Sequence, residues 1–170
     1  MTTIKAAIDI GTNTAHIIIA RVSDVSIEDI LYRKRFYIYL AEEGIINIGE
    51  SAKTRLYQAL DHFNSKIDEY QCHLVHIVAT EAMRKASNGP EIRQHVHDIL
   101  GWAPEIISGE SEAKYIYQGV SSIKDLSSGQ HLIVDIGGGS VEFIYTEQGI
   151  IKDLRSLPIG IANLYNNYHL

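Results

Sequence analysis

The chain has 170 residues, 45% of them apolar, and a formal net charge of −6. That is enough to bury a full hydrophobic core, and too acidic for the broad basic surface that nucleic-acid backbones demand. No apolar run of about eighteen residues exists, and the start "MTTIKAAIDIG" lacks the pattern of a secretory signal, so neither nucleic acid nor a membrane is an expected partner and the reading is cytoplasmic.

Taken in chain order, "KAAIDI" reads as a buried strand, "GTNT" as a turn and "AHIIIARV" as a second strand, which makes a hairpin. Residues 26–40, rich in Ile, Tyr and Phe, supply a third strand. From about Gly49 to Tyr70, Leu56, Leu60, Phe63 and Ile67 recur at helical spacing and predict an amphipathic helix. "CHLVHIVA" is the next strand, Thr80 the expected cap of a short helix "EAMRKA", and "SNGP" its end. A helix over "EIRQHVHDIL" stops at Gly101, "APEIIS" gives a short strand, and Ser108 is placed to cap a helix over "GESEAKYIYQGV". Hairpins first and crossovers later predict an α/β fold with a mixed sheet flanked by helices.

Isolated features add little. Cys72 has no partner thiol and is expected as a small core residue. The basic runs Arg33-Lys34-Arg35 and Arg84-Lys85 read as solvated strand and helix faces, with local basic clusters for nucleic acid as the alternative. His95 and His97 diverge on a helix and His73 and His76 on a strand, so neither pair predicts a metal site.

After "KDLSSGQ" the pattern starts again. At a spacing of 126 positions, Asp9-Ile10-Gly11-Thr12-Asn13-Thr14 falls on Asp135-Ile136-Gly137-Gly138-Gly139-Ser140, and the flanking strands match in apolar character. The first copy occupies residues 1–125, whereas 126–170 contains only the opening strands of a second lobe. The expectation is therefore the N-terminal part of a longer protein, with packing of the last segment onto the first domain, or a homodimer, left open.

Two such turns, each with glycines that let an anion approach backbone amides, form a clamp for phosphates. Asp9 and Asp135 are themselves negative, so a divalent cation, best Mg²⁺ with its preference for oxygen, is the expected intermediary. Glu142 lies two residues beyond Ser140, on the same strand face, and is expected to reach the cation or its water shell. His16, its counterpart in the first copy, reads as a hydrogen-bonded histidine.

The stretches "DIGTNTAHIIIA", "VATEAMRKASNG", "ISGESEAKYIYQGV", "IVDIGGGSVEF" and "SLPIG", in that order, resemble the exopolyphosphatase and guanosine pentaphosphate phosphatase family. That family belongs to the actin, sugar-kinase and heat-shock chaperone superfamily. The resemblance implies two ribonuclease-H-like lobes with the site between them, and Mg²⁺-dependent release of orthophosphate from polyphosphate or guanosine pentaphosphate. It makes Glu112 the group acting on the attacking water, Arg84 a phosphate contact, and Gly11, Thr12, Asn13, Thr14, Gly137, Gly138, Gly139 and Ser140 the phosphate-binding turns. Asp9, Asp135 and Glu142 are expected to hold the cation. Glu112 falls in the first turn of its predicted helix, where the dipole is expected to keep it ionised. Ser111 and Val141 depart from the family pattern, which has an acid and a threonine there. Two rivals share the turns: a sugar or acetate kinase, which ATP binding would reveal, and a silent phosphate-binding or actin-like module, which would bind polyphosphate without turnover.

Overall fold

The computed structural model describes residues 2–24 and 26–168. The first hairpin pairs β1 (Thr3–Ile10) with β2 (Thr14–Val22), and β2 with β3 (Ile27–Tyr37), all antiparallel. After α1 (Glu50–Glu69), β4 (Leu74–Ala79) returns parallel to β1 on its other side. Then come α2 (Glu81–Lys85), α3 (Gly89–Leu100) and β5 (Glu105–Ile106), parallel to β4. The resulting order, β3-β2-β1-β4-β5, is the mixed sheet of a ribonuclease-H-like lobe, as expected.

One face of this sheet carries Ala6, Ile8 and Ile10 of β1, Ile17 and Ile19 of β2, and Ile77 of β4, all buried. They alternate because strand side chains have period two. The expected stripe of α1, Leu56, Leu60, Phe63 and Ile67, is buried in the same cluster, together with Ile92 and Val96 of α3. Gly101 ends α3 in the left-handed conformation at φ 78°, where its N–H donates to His97 O. Cys72 packs half-buried at the edge of this core.

Helix α4 (Gly109–Ser121) leaves the first sheet and packs on a second one, formed by β6 (Gln130–Ile136), β7 (Val141–Glu147) and β8 (Ile150–Leu157) in an antiparallel meander, followed by α5 (Ile161–Tyr168). Ser108 caps α4, accepting from Ser111 N–H at 3.1 Å. The two sheets share their opening pattern: Ile10 stands opposite Ala15 and Ile136 opposite Val141, each pair closing a glycine turn. They differ in cover. Leu132 and Ile136, the counterparts of buried Ala6 and Ile10, are each 63% exposed, because no helices equivalent to α1 and α3 lie on them among the described residues. Among those residues, too, no helix is long and apolar enough to cross a membrane.

Candidate active site

Each repeat builds the same turn. Gly11 N–H donates to Thr14 O and Gly137 N–H to Ser140 O, both at 2.9 Å, while Asp9 faces His16 and Asp135 faces Glu142 across their hairpins. The two turns touch. A Cβ added to Gly138 would lie 2.6 Å from Asn13 Cγ, and one on Gly139 would lie 2.5 Å from Thr12 Oγ1. None of the turn glycines has a positive φ. At Gly138 and Gly139 the space a side chain would need is occupied by the opposite turn and, at Gly139, by Glu81, whereas at Gly11 and Gly137 a Cβ would crowd the carbonyl of its own turn, at 3.2 and 3.1 Å.

The turn carbonyls are tied down from behind. Ile38 N–H donates to Asn13 O at 2.9 Å and Leu40 N–H to Thr12 O at 2.7 Å; at the start of α5, Ile161 N–H donates to Gly137 O at 3.0 Å and Ala162 N–H to Gly138 O at 2.8 Å. Asn163 Nδ2 donates to Gly139 O at 2.6 Å. Among the described residues, the amides of Thr12, Asn13, Gly138 and Gly139 donate to no protein group, which is the arrangement of an anion nest.

Between the turns lies a cleft of about 410 Å³. All eight residues expected to bind phosphate in the turns line it, together with Asp9, Asp135 and Glu112. The shared crevice brings two segments 126 residues apart into one site. Asp9 reaches the solvent of the cleft, yet the surrounding protein removes enough water from its carboxyl to raise its pKa to about 6, with repulsion from Asp135 adding to the effect. His16 bonds to Thr14 Oγ1 at 2.9 Å, as a hydrogen-bonded histidine should, and burial followed by the Arg35 charge lowers its pKa.

Glu112 departs from expectation. Its pKa rises to about 7, chiefly through burial and then through Glu142, with Arg84 opposing and Asp9 and Glu81 reinforcing. Desolvation and three nearby carboxylates outweigh the helix dipole that was expected to keep it charged. Its side chain is 18% exposed, and its buried Oε2 has no hydrogen-bond partner.

Arg84 and Glu142, expected at the phosphate and at the cation, lie outside the lining of this cleft. The Arg84 guanidinium is engaged by the protein, Nε donating to Glu81 Oε2 at 3.1 Å, Nη2 to the same oxygen and Nη1 to Ile107 O. Glu142 is buried and accepts from Ser156 Oγ at 2.7 Å. The strand register does put it on the face of Asp135, beside its cross-strand partner Ser156 of β8, but α4 packs against β7 and β8 there. Val141 is buried in the second hairpin, and Ser111 serves the cap of α4.

Sequence reasoning missed two residues of the cleft, Arg35 and Thr80. Arg35 was read only as part of a basic run; its position opposite His16 in the β2–β3 register is what aims it at the turns. Thr80 holds the cap position of α2 but makes no capping bond, and instead lines the cleft.

The donors suit a hard cation. Asp9, Asp135 and the buried, unpartnered Thr12 Oγ1 are oxygen donors on one cleft, and Mg²⁺ uses one or two carboxylates with water and phosphate oxygens rather than a closed protein cage.

The model of the Ppx/GppA phosphatase family matches residues 18–169. A guanosine-5′-triphosphate,3′-diphosphate pyrophosphatase of Vibrio vulnificus is 35% identical over 164 residues, which cover 96% of this chain and 33% of that protein. Among solved structures, an exopolyphosphatase from Cytophaga hutchinsonii superposes with a TM-score of 0.90 at 30% identity, covering 98% of this chain and 54% of the other. The Aquifex aeolicus Ppx-GppA enzyme gives 0.80 at 32% identity, covering 99% and 56%. The chain thus spans about a third of the curated relative and about half of the solved ones.

Proposed function

The chain belongs to the Ppx/GppA phosphatase family, and on that premise we propose that its two-turn cleft is the hydrolytic site for the terminal phosphoanhydride of a linear phosphate chain, inorganic polyphosphate or the 5′ end of guanosine pentaphosphate. The observation that carries the reading is Oε2 of Glu112, a buried carboxylate oxygen without a hydrogen-bond partner, beside paired turns whose amides at Thr12, Asn13, Gly138 and Gly139 have no protein acceptor. A second member of the same cleft supports it: Arg35 brings a cation to the turns.

In this mechanism the amides of Thr12, Asn13, Gly138 and Gly139 and the Arg35 guanidinium hold phosphate oxygens. Asp9 and Asp135, with Thr12 Oγ1, would hold a divalent cation, Mg²⁺ by its ligand preference, which when bound neutralises phosphate charge. Glu112 takes the proton of a water whose oxygen attacks the terminal phosphorus; the P–O bond to the chain breaks and orthophosphate leaves. Arg84 and Glu142 act behind Glu112, setting its position and its proton affinity. The test is orthophosphate release from polyphosphate and guanosine pentaphosphate with Mg²⁺, by the wild-type protein and by Glu112→Gln. Equal turnover by the two would end the assignment.

A further inference from the structure

A second cavity, about 750 Å³, opens on the other side of Arg84, between α2, the start of α4 and β8. Its volume is within the range of roughly 300–1,000 Å³ common to small-ligand sites. It is lined by carboxylates and cations in equal number, but they are not equally free. Glu81 is taken by Arg84, Glu110 by Lys114 at 2.6 Å, and Asp153 by Arg155 at 3.2 Å. Lys85 and Lys152 remain, exposed on opposite walls, with no carboxylate partner among the described residues. The cavity therefore presents two uncompensated positive charges from two different lobes.

The cavity adjoins the two-turn cleft: Arg84, which lines it, lies 3.8 Å from Oε2 of Glu112, which lines the cleft. We propose that this second cavity holds the non-reacting phosphates of a linear inorganic oligophosphate, with Lys85 and Lys152 as their ligands. The inference rests on the hydrolytic reading above. A chain whose end is held at Glu112 passes Arg84 and meets the lysines. Among the described residues no aromatic side chain lines the cavity, so a nucleobase has nothing to stack on, whereas ammonium groups suit phosphate oxygens without any base. The Arg84-Lys85 run thus divides its work, Arg84 inward on protein acceptors and Lys85 outward on the ligand.

Binding of long-chain polyphosphate and of tripolyphosphate is measured by titration calorimetry on the chain and its variants Lys85→Gln, Lys152→Gln, the double variant, and Lys66→Gln on α1 as a control. Each cavity substitution is expected to weaken long-chain binding roughly tenfold, and the double variant more, by loss of charge-assisted hydrogen bonds. Tripolyphosphate, short enough for the turns and Arg35, should change by less than about twofold, and Lys85→Arg and Lys152→Arg should retain the long-chain affinity that the glutamine variants lose. Unaltered long-chain affinity in the double variant, or equal weakening for both chain lengths, overturns the inference and leaves the cleft reading intact. A wild-type protein that binds neither ligand overturns the cleft reading and this inference with it. Both lysines are exposed, so unchanged melting temperatures of the variants confirm that folding does not confuse the result.

Discussion

Nη2 of Arg84 stands 3.8 Å from Oε2 of Glu112, near enough to attract its charge and too far to hydrogen-bond it. The glutamate therefore feels one cation at a distance while burial and the carboxylates of Glu142, Asp9 and Glu81 press it towards the neutral form. The balance leaves a proton acceptor poised near neutrality, the range in which general bases work best.

The first expectation concerns rate against pH. Glu112 accepts a proton only when ionised, so turnover should rise with pH through about 7, the value its surroundings impose, and level off above it. Glu112→Gln should lower kcat by roughly 10²- to 10⁴-fold and remove that rise. Arg84→Gln, with the opposing cation gone, should move the inflection upward. Orthophosphate-release profiles across pH measure all three.

Stability should follow the same groups. The pKa of Asp9 moves from 3.8 to about 6 and that of Glu112 from 4.5 to about 7, so over those intervals the folded chain retains protons that the unfolded chain has released. Without divalent cations, thermal stability should then decline as pH rises from about 4 to about 7, and Glu112→Gln should flatten the upper part of the decline. Melting curves in chelator report it. A wild-type protein that gains stability over that interval would contradict the burial of these carboxyls.

Gly160 and Gly119 should respond oppositely to alanine. A Cβ at Gly160 would lie 2.4 Å from Gly138 O, backbone against backbone, whereas one at Gly119 on α4 meets nothing within 4 Å. Gly160→Ala should cost about 1–3 kcal/mol and weaken phosphate binding by displacing the second turn. Gly119→Ala should add about 0.5–1 kcal/mol, because it only restricts the unfolded chain. Denaturant midpoints compare the two directly.

Arg35→Ala should weaken tripolyphosphate binding about tenfold if its guanidinium meets phosphate in the cleft. It should also raise the pKa of His16 towards its ordinary value, since Arg35 is the second cause of its depression after burial. Calorimetry follows the first effect and imidazole NMR titration the second. A change in His16 without a change in affinity would separate electrostatic proximity from ligand contact.

Much of the fold was legible because its signals are local. The α1 stripe, the left-handed stop at Gly101 and the Ser108 cap depend on spacings within a few residues, and each appears where the sequence placed it. The repeated turn was legible for another reason: one solution to joining two buried strands had been written twice, 126 residues apart. Thr80 shows the limit. It occupies a cap position, but its backbone, at ψ −145°, and the neighbouring cleft leave its side chain off the helix amides.

The sequence by itself determined the strands, helices and paired turns, and hence that Asp9, Asp135 and the glycines belong to one kind of site, because hydrogen-bonding pattern and side-chain periodicity act between near neighbours. Only the tertiary structure decided which charges share the cleft. It brought Arg35 to the turns, turned Arg84 to Glu81 and Ile107, covered Glu142, and left Glu112 able to hold its proton near neutral pH. Proton affinity and ion pairing depend on what is packed around a group from every direction, and those neighbours come from chain segments that only folding brings together.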